Sequence, residues 1–68
     1  MRLSARNQLR GTVRSINRGA AIANVELDVA GQRVVASITV EAVDNLGLQE
    51  GDEVTAVIKA SDVMIGKD

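Results

Sequence analysis

The chain has 68 residues, with eight Lys plus Arg against nine Asp plus Glu, a formal net charge of −1, and no His, Cys, Pro, Phe, Tyr or Trp. That inventory excludes disulfides, thiolate or imidazole metal sites and any Ser-His or Cys-His nucleophile. A chain this short buries only about 60% of its unfolded surface, and such a core rarely supplies more than ~3–5 kcal/mol without a staple. With metals and disulfides absent, the remaining staple is self-association, for which a hydrophobic content of 46% supplies apolar surface. We read residues 1–68 as one domain that assembles with copies of itself.

In chain order, Gly11-Thr12-Val13-Arg14-Ser15-Ile16 reads as a first long strand ending near Gly19. Asn24 to Val29 and Arg33 to Val40 both alternate polar and apolar residues, the period of a half-buried strand. Ala30-Gly31-Gln32 lies between them as a turn, so residues 22–40 form a hairpin. A short helix is expected over about 40–47, with Thr39 or Val40 just before it, Glu41 in its first turn and Gly47 as its stop. The Glu50-Gly51-Asp52 turn leads into a strand over 53–59, and Val63-Met64-Ile65 reads as a short final one. Five short strands and one helix, without βαβ spacing, predict an all-β, five-stranded OB-like Greek-key barrel. Adjacent apolar residues such as Val34-Val35 and Val57-Ile58 leave an outer face that needs cover.

No apolar run approaches the roughly 18 residues of a membrane span, and Met1-Arg2-Leu3-Ser4-Ala5-Arg6 has no apolar stretch behind it. A cytoplasmic location without membrane contact is the expectation. The charge is unevenly spread. Residues 1–18 hold five Arg (2, 6, 10, 14 and 18) and no acid, whereas residues 19–68 hold three bases and nine acids. A spacing of four puts all five on one side of an ideal strand.

The glycines form no nucleotide phosphate loop, and Glu50, Asp52 and Glu53 lack the spacing of a calcium loop. We expect no enzyme activity and no cofactor. A nucleic-acid-binding barrel is the alternative, suggested by the Arg-rich start. It lacks the aromatic platforms on which single strands stack, so no nucleic-acid partner is expected. An oxyanion site fits better. A tetrahedral dianion needs converging donors and positive charge. Ser4, Asn7, Thr39 and Ser61 donate, Arg6 and Lys59 bring charge, and backbone N–H groups around Val40 and Ala42 open the short helix. Gly19-Ala20-Ala21 is a second place where exposed N–H groups suit an anion.

The motifs Ser4-Ala5-Arg6-Asn7-Gln8-Leu9, Gly11-Thr12-Val13, Ser37-Ile38-Thr39, Leu46-Gly47-Leu48, Gly51-Asp52-Glu53-Val54 and Ile58-Lys59-Ala60-Ser61 run in order along the chain. With them the sequence resembles the molbindin family, the small Mop-type molybdate-binding proteins, whose module also occurs as TOBE-type domains of molybdate transporters and of a molybdate-responsive regulator. The resemblance implies a hexamer built as a trimer of dimers, which holds molybdate or tungstate between subunits for storage, with no side chain ligating the metal directly. It implies a site of Ser4, Ala5, Arg6, Lys59, Ala60 and Ser61 from one subunit, with Thr39, Val40 and Ala42 from a neighbour. A second site would use Gly19, Ala20 and Ala21 with Asn7. Some relatives carry Ser where this chain has Ala42, so one hydroxyl donor is missing.

Overall fold

The computed structural model describes residues 1–68. The chain runs β1 (Asn7–Arg18), β2 (Ile22–Val29), β3 (Gln32–Thr39), α1 (Val40–Leu46), β4 (Glu53–Ile58) and a single 3₁₀ turn, Ala60–Asp62. All strand pairs are antiparallel, and the sheet order is β3-β2-β1-β4. This is the spatial order of a Greek key: two hairpins, then a fourth strand that returns through α1 to lie beside the first.

The expected hairpin is present, closed by Ala30 and Gly31. Both have positive φ, 50° and 85°, as a two-residue turn matched to the twist of its strands requires. The Gly31 N–H donates to Asp28 Oδ1 at 2.8 Å, which holds the turn. The alternating residues Ala23, Val25 and Leu27 of β2 are buried together with Val13 of β1 and Val43 of α1. Val34, Ala36, Ile38, Val54 and Ala56 pack around them. The core is therefore wholly aliphatic.

The helix also follows its sequence signals. Thr39 is the N-cap, and its Oγ1 accepts the Ala42 N–H at 3.0 Å. Gly47, at φ 62°, ends α1. The Gly47 N–H donates to Asp44 O and the Leu48 N–H to Val43 O, which together satisfy the last carbonyls.

Two expectations are corrected. The first concerns the Arg stripe. β1 pairs with β4 over Asn7–Thr12 and with β2 over Thr12–Arg18, and its register with β2 slips between Val13 and Ser15. Arg14 is the extra residue of a β-bulge. A bulge inverts the phase of everything beyond it, so Val13 and Ile16, three apart, both pack into the core. Arg10 and Arg18 consequently lie on opposite faces: Arg10 reaches Glu53 of β4, and Arg18 reaches Asp44 of α1, each at 3.0 Å.

The second concerns the strand count. The sheet has four strands and is not closed, with β3 and β4 as its edges. Val63-Met64-Ile65 is not a strand. The Val63 N–H closes the 3₁₀ turn on Ala60 O, and Met64 and Ile65 are each 93% exposed. A strand needs a ladder partner, and this segment has none within the chain.

Of the turn acids, Asp52 Oδ2 accepts the Gln49 N–H at 2.9 Å, and Glu53 forms an exposed ion pair with Arg10. No group of three acidic residues is arranged to hold a metal ion.

Candidate oxyanion site

The ladder between β1 and β4 decides what the two donor clusters do. Its last pair is Asn7 with Ile58. Arg6 and Lys59 are the residues just beyond that pair, so both leave the ladder at the same end; from there the chain bends on the N-terminal side at Arg6 and Ser4 and turns through the 3₁₀ segment Ala60–Asp62 on the other, which ends the ladder. Both terminal segments thus start from one end of β1. The Asn7 side chain helps to hold them there, with Nδ2 donating to Ile58 O at 3.2 Å.

This end carries uncompensated positive charge. The three ion pairs of the chain are Arg10–Glu53, Arg18–Asp44 and Arg33–Glu26, so neither Arg6 nor Lys59 has a carboxylate partner. Both are exposed. Arg6 folds back on its own segment, with Nε donating to Ser4 O at 3.0 Å and Nη2 to Leu3 O at 3.3 Å. These bonds order the guanidinium and leave others of its five N–H donors free.

Thr39, Val40 and Ala42 are elsewhere. Thr39 pairs with Ile22 and Arg18 with Ala23, so the start of α1 lies at the Arg18 end of the twelve-residue β1, opposite the Arg6–Lys59 end. One chain does not bring Thr39 to Arg6. The same holds for the second expected group. Gly19, Ala20 and Ala21 connect β1 to β2 beside Thr39, while Asn7 is at the far end of β1.

The helix start also differs from expectation in its chemistry. The Val40 N–H donates to Ala21 O at 2.8 Å, and the Ala42 N–H donates to Thr39 Oγ1. Neither amide is left over as a free donor. The Ala20 and Ala21 N–H groups have no intramolecular partner. Gly19 shapes this connection. Its N–H donates to Ile22 O at 2.8 Å, and a Cβ at this position would sit 2.8 Å from the same oxygen. The bond from Val40 to Ala21 ties the helix start to the Gly19–Ala21 turn, and the ion pair between Arg18 and Asp44 adds a second tie. No periodicity in the sequence signals either contact, because both link segments about twenty residues or more apart.

The remaining charged cluster lies on the outer face of the sheet. Glu26 accepts from the Arg33 guanidinium and from Ser15 Oγ. These bonds, with the charges of Arg33 and Arg14, hold its carboxyl below the ordinary value for Glu against a smaller opposing effect of desolvation. This is a strand-to-strand brace on β1, β2 and β3.

A small antiparallel Greek-key module, with a donor-rich end where Arg6 and Lys59 form no ion pair, defines the class: a compact β-module with an exposed cationic end. The chain belongs to the TOBE domain family, which matches residues 3–65. It is 47% identical to molybdenum-pterin-binding protein 3 of Clostridium pasteurianum over 66 residues, covering 96% of this chain and 97% of that protein. Its structure is similar to that of a molybdate binding protein from Sporomusa ovata, with a TM-score of 0.95 and 40% identity over 98% of this chain and 100% of that one. It is also similar to the cytoplasmic molybdate-binding protein ModG, with a TM-score of 0.89 and 49% identity over 94% of this chain and 46% of that one. The resemblance to the Mop proteins is thus borne out, and these relatives point to no enzymatic family. No helix is long and apolar enough to cross a membrane.

Proposed function

We propose that this chain, acting as a single Mop/TOBE-type domain, binds molybdate or tungstate without catalysis, at interfaces between copies of itself, for intracellular molybdenum storage. The observation that carries the reading is the division of the donor set. The segments that carry Ser4, Ala5 and Arg6 and Lys59, Ala60 and Ser61 leave the β1–β4 ladder at the same end, which supports their acting together, while Thr39 and the free N–H groups of Ala20 and Ala21 stand at the other end of β1. An ion that uses both ends needs two chains.

The exposed apolar residues support the same reading. Val35 and Val57 lie on the two open edge strands, and Leu46, Val63, Met64 and Ile65 are 51–93% exposed. Burial of this surface against further copies would supply the stability a 68-residue core lacks. A hexamer arranged as a trimer of dimers satisfies both demands, and the Val63–Ile65 segment would there gain the ladder partner that completes a five-stranded barrel. Ala42 contributes no hydroxyl, so the Thr39 O–H is the side-chain donor from the helix start.

The test is calorimetric titration with molybdate and tungstate, with the oligomer mass measured in parallel by native mass spectrometry. Arg6→Ala and Lys59→Ala should each weaken binding by about tenfold or more, because each removes a charge-assisted hydrogen bond. Full-strength binding by the double variant, or by a monomer, would defeat the assignment.

A further inference from the structure

Resting on the oxyanion reading above, we propose that Asn7 is a positioning residue that sets which size of oxyanion the site prefers, by fixing the separation of the segments that carry Arg6 and Lys59. Asn7 and Ile58 are the last pair of the β1–β4 ladder. Beyond them, no hydrogen bond or ion pair joins residues 1–6 to residues 59–68. The side-chain tie at the point of parting is Asn7 itself, whose Nδ2 donates to Ile58 O at 3.2 Å from a half-buried position. That carbonyl belongs to the peptide that carries the Lys59 nitrogen, and Asn7 directly follows Arg6. One amide therefore clamps the backbone immediately beside both cations.

Each cation is ordered within its own segment. Arg6 bonds to Ser4 O and Leu3 O, and Lys59 opens the 3₁₀ turn, with its carbonyl accepting the Asp62 N–H at 2.9 Å. What neither segment fixes is its distance from the other. A held distance suits one ion radius, because hydrogen bonds weaken steeply once donor and acceptor stand more than about 3.2 Å apart. A smaller ion in the same gap reaches one cation and leaves the other behind. With the clamp removed, the segments close on a smaller ion, and a larger one loses the preorganised fit that favoured it. Loss of Asn7 therefore acts on discrimination between ions as well as on affinity.

The experiment is competition calorimetry on the full chain near neutral pH with sulfate, selenate and molybdate, which are tetrahedral dianions of increasing size. Asn7→Leu removes the donor and keeps most of the bulk, and Asn7→Ala is the second variant. In the parent, affinity should rise from sulfate through selenate to molybdate. In both variants the ratio of molybdate to sulfate affinity should fall roughly fivefold or more, the equivalent of one hydrogen bond. Thermal melts at matched protein concentration record any loss of stability separately. Equal weakening of all three ions would overturn the inference, because loss of packing, or of a direct donor to the ion, acts without regard to ion size. An unchanged ratio with unchanged affinities would overturn it too, and so would a parent that binds the three ions alike. Absence of any heat with molybdate in the parent is a separate result, one that removes the oxyanion reading itself.

Discussion

Gly19→Ala tests whether the β1–β2 connection is built as described. The added Cβ would lie 2.8 Å from Ile22 O, a backbone atom that cannot rotate away. Relief requires the turn to open, which sacrifices the bond from Gly19 N–H to that same oxygen. The lost bond costs about 1 kcal/mol net, and the forced backbone shift a further ~1–3 kcal/mol. Reduced freedom of the unfolded chain returns ~0.4–1 kcal/mol. The balance is a destabilisation of about 1–3.5 kcal/mol, centred near 2, at roughly 4–8 °C in Tm per kcal/mol for a domain of this size. Because Ala21 O holds the Val40 N–H, the start of α1 should shift with the turn, and molybdate binding should weaken in step. The chain has no Trp or Tyr, so unfolding is followed by far-ultraviolet circular dichroism or scanning calorimetry, at matched protein concentration because assembly shifts Tm. Gly66→Ala is the control, since nothing lies within 4 Å of its would-be Cβ. A Gly19→Ala protein within about 0.5 kcal/mol of the parent would refute the steric argument.

Thr39→Ala should lower stability by about 1 kcal/mol through loss of the α1 N-cap and weaken molybdate binding, while Thr39→Ser keeps both; thermal melts and calorimetric titration check the pair. Ala30→Asn should stabilise the hairpin by about 0.5–1 kcal/mol in denaturant unfolding, because Asn tolerates the positive φ that Ala adopts at cost. Glu26 sets an acid dependence. Its folded-state pKa lies below the unfolded value, so its contribution is present above the unfolded pKa and is lost as pH falls through the folded one. Melts across the acid range should therefore show a steeper loss of stability in the parent than in Glu26→Gln, and parallel profiles would contradict the brace with Arg33 and Ser15.

Much of the fold was legible in the sequence because its signals are local. The alternation over 22–40 produced the hairpin, and Thr39 and Gly47 bounded α1, since capping and positive φ depend on a residue and its near neighbours. Even the inward set Ala23, Val25 and Leu27 follows from a period of two. The Arg spacing misled for a definable reason. A strand that serves two partners is bent by a bulge at Arg14, and nothing in an Arg-every-fourth pattern announces where the phase inverts. Val63-Met64-Ile65 has strand composition, yet composition supplies no ladder partner.

The candidate site divides along the same line. Residue types alone yield an inventory of donors and cations suited to an anion, with no Ser-His or Cys-His pair, and the family-specific motifs single out the residues proposed to hold it. Only the tertiary structure decided who meets whom. The β1–β4 register sends Arg6 and Lys59 out at the same end, because a ladder that ends at Asn7 and Ile58 leaves them as the next positions. The length of β1 keeps Thr39 at the other end, because Greek-key connectivity returns β4 to the start of that strand and places α1 beyond its finish. Hydrogen-bond saturation was equally a matter of three dimensions: Val40 and Ala42 look like free donors in sequence and are engaged in the fold, because backbone amides at a helix start take whichever acceptor packing delivers.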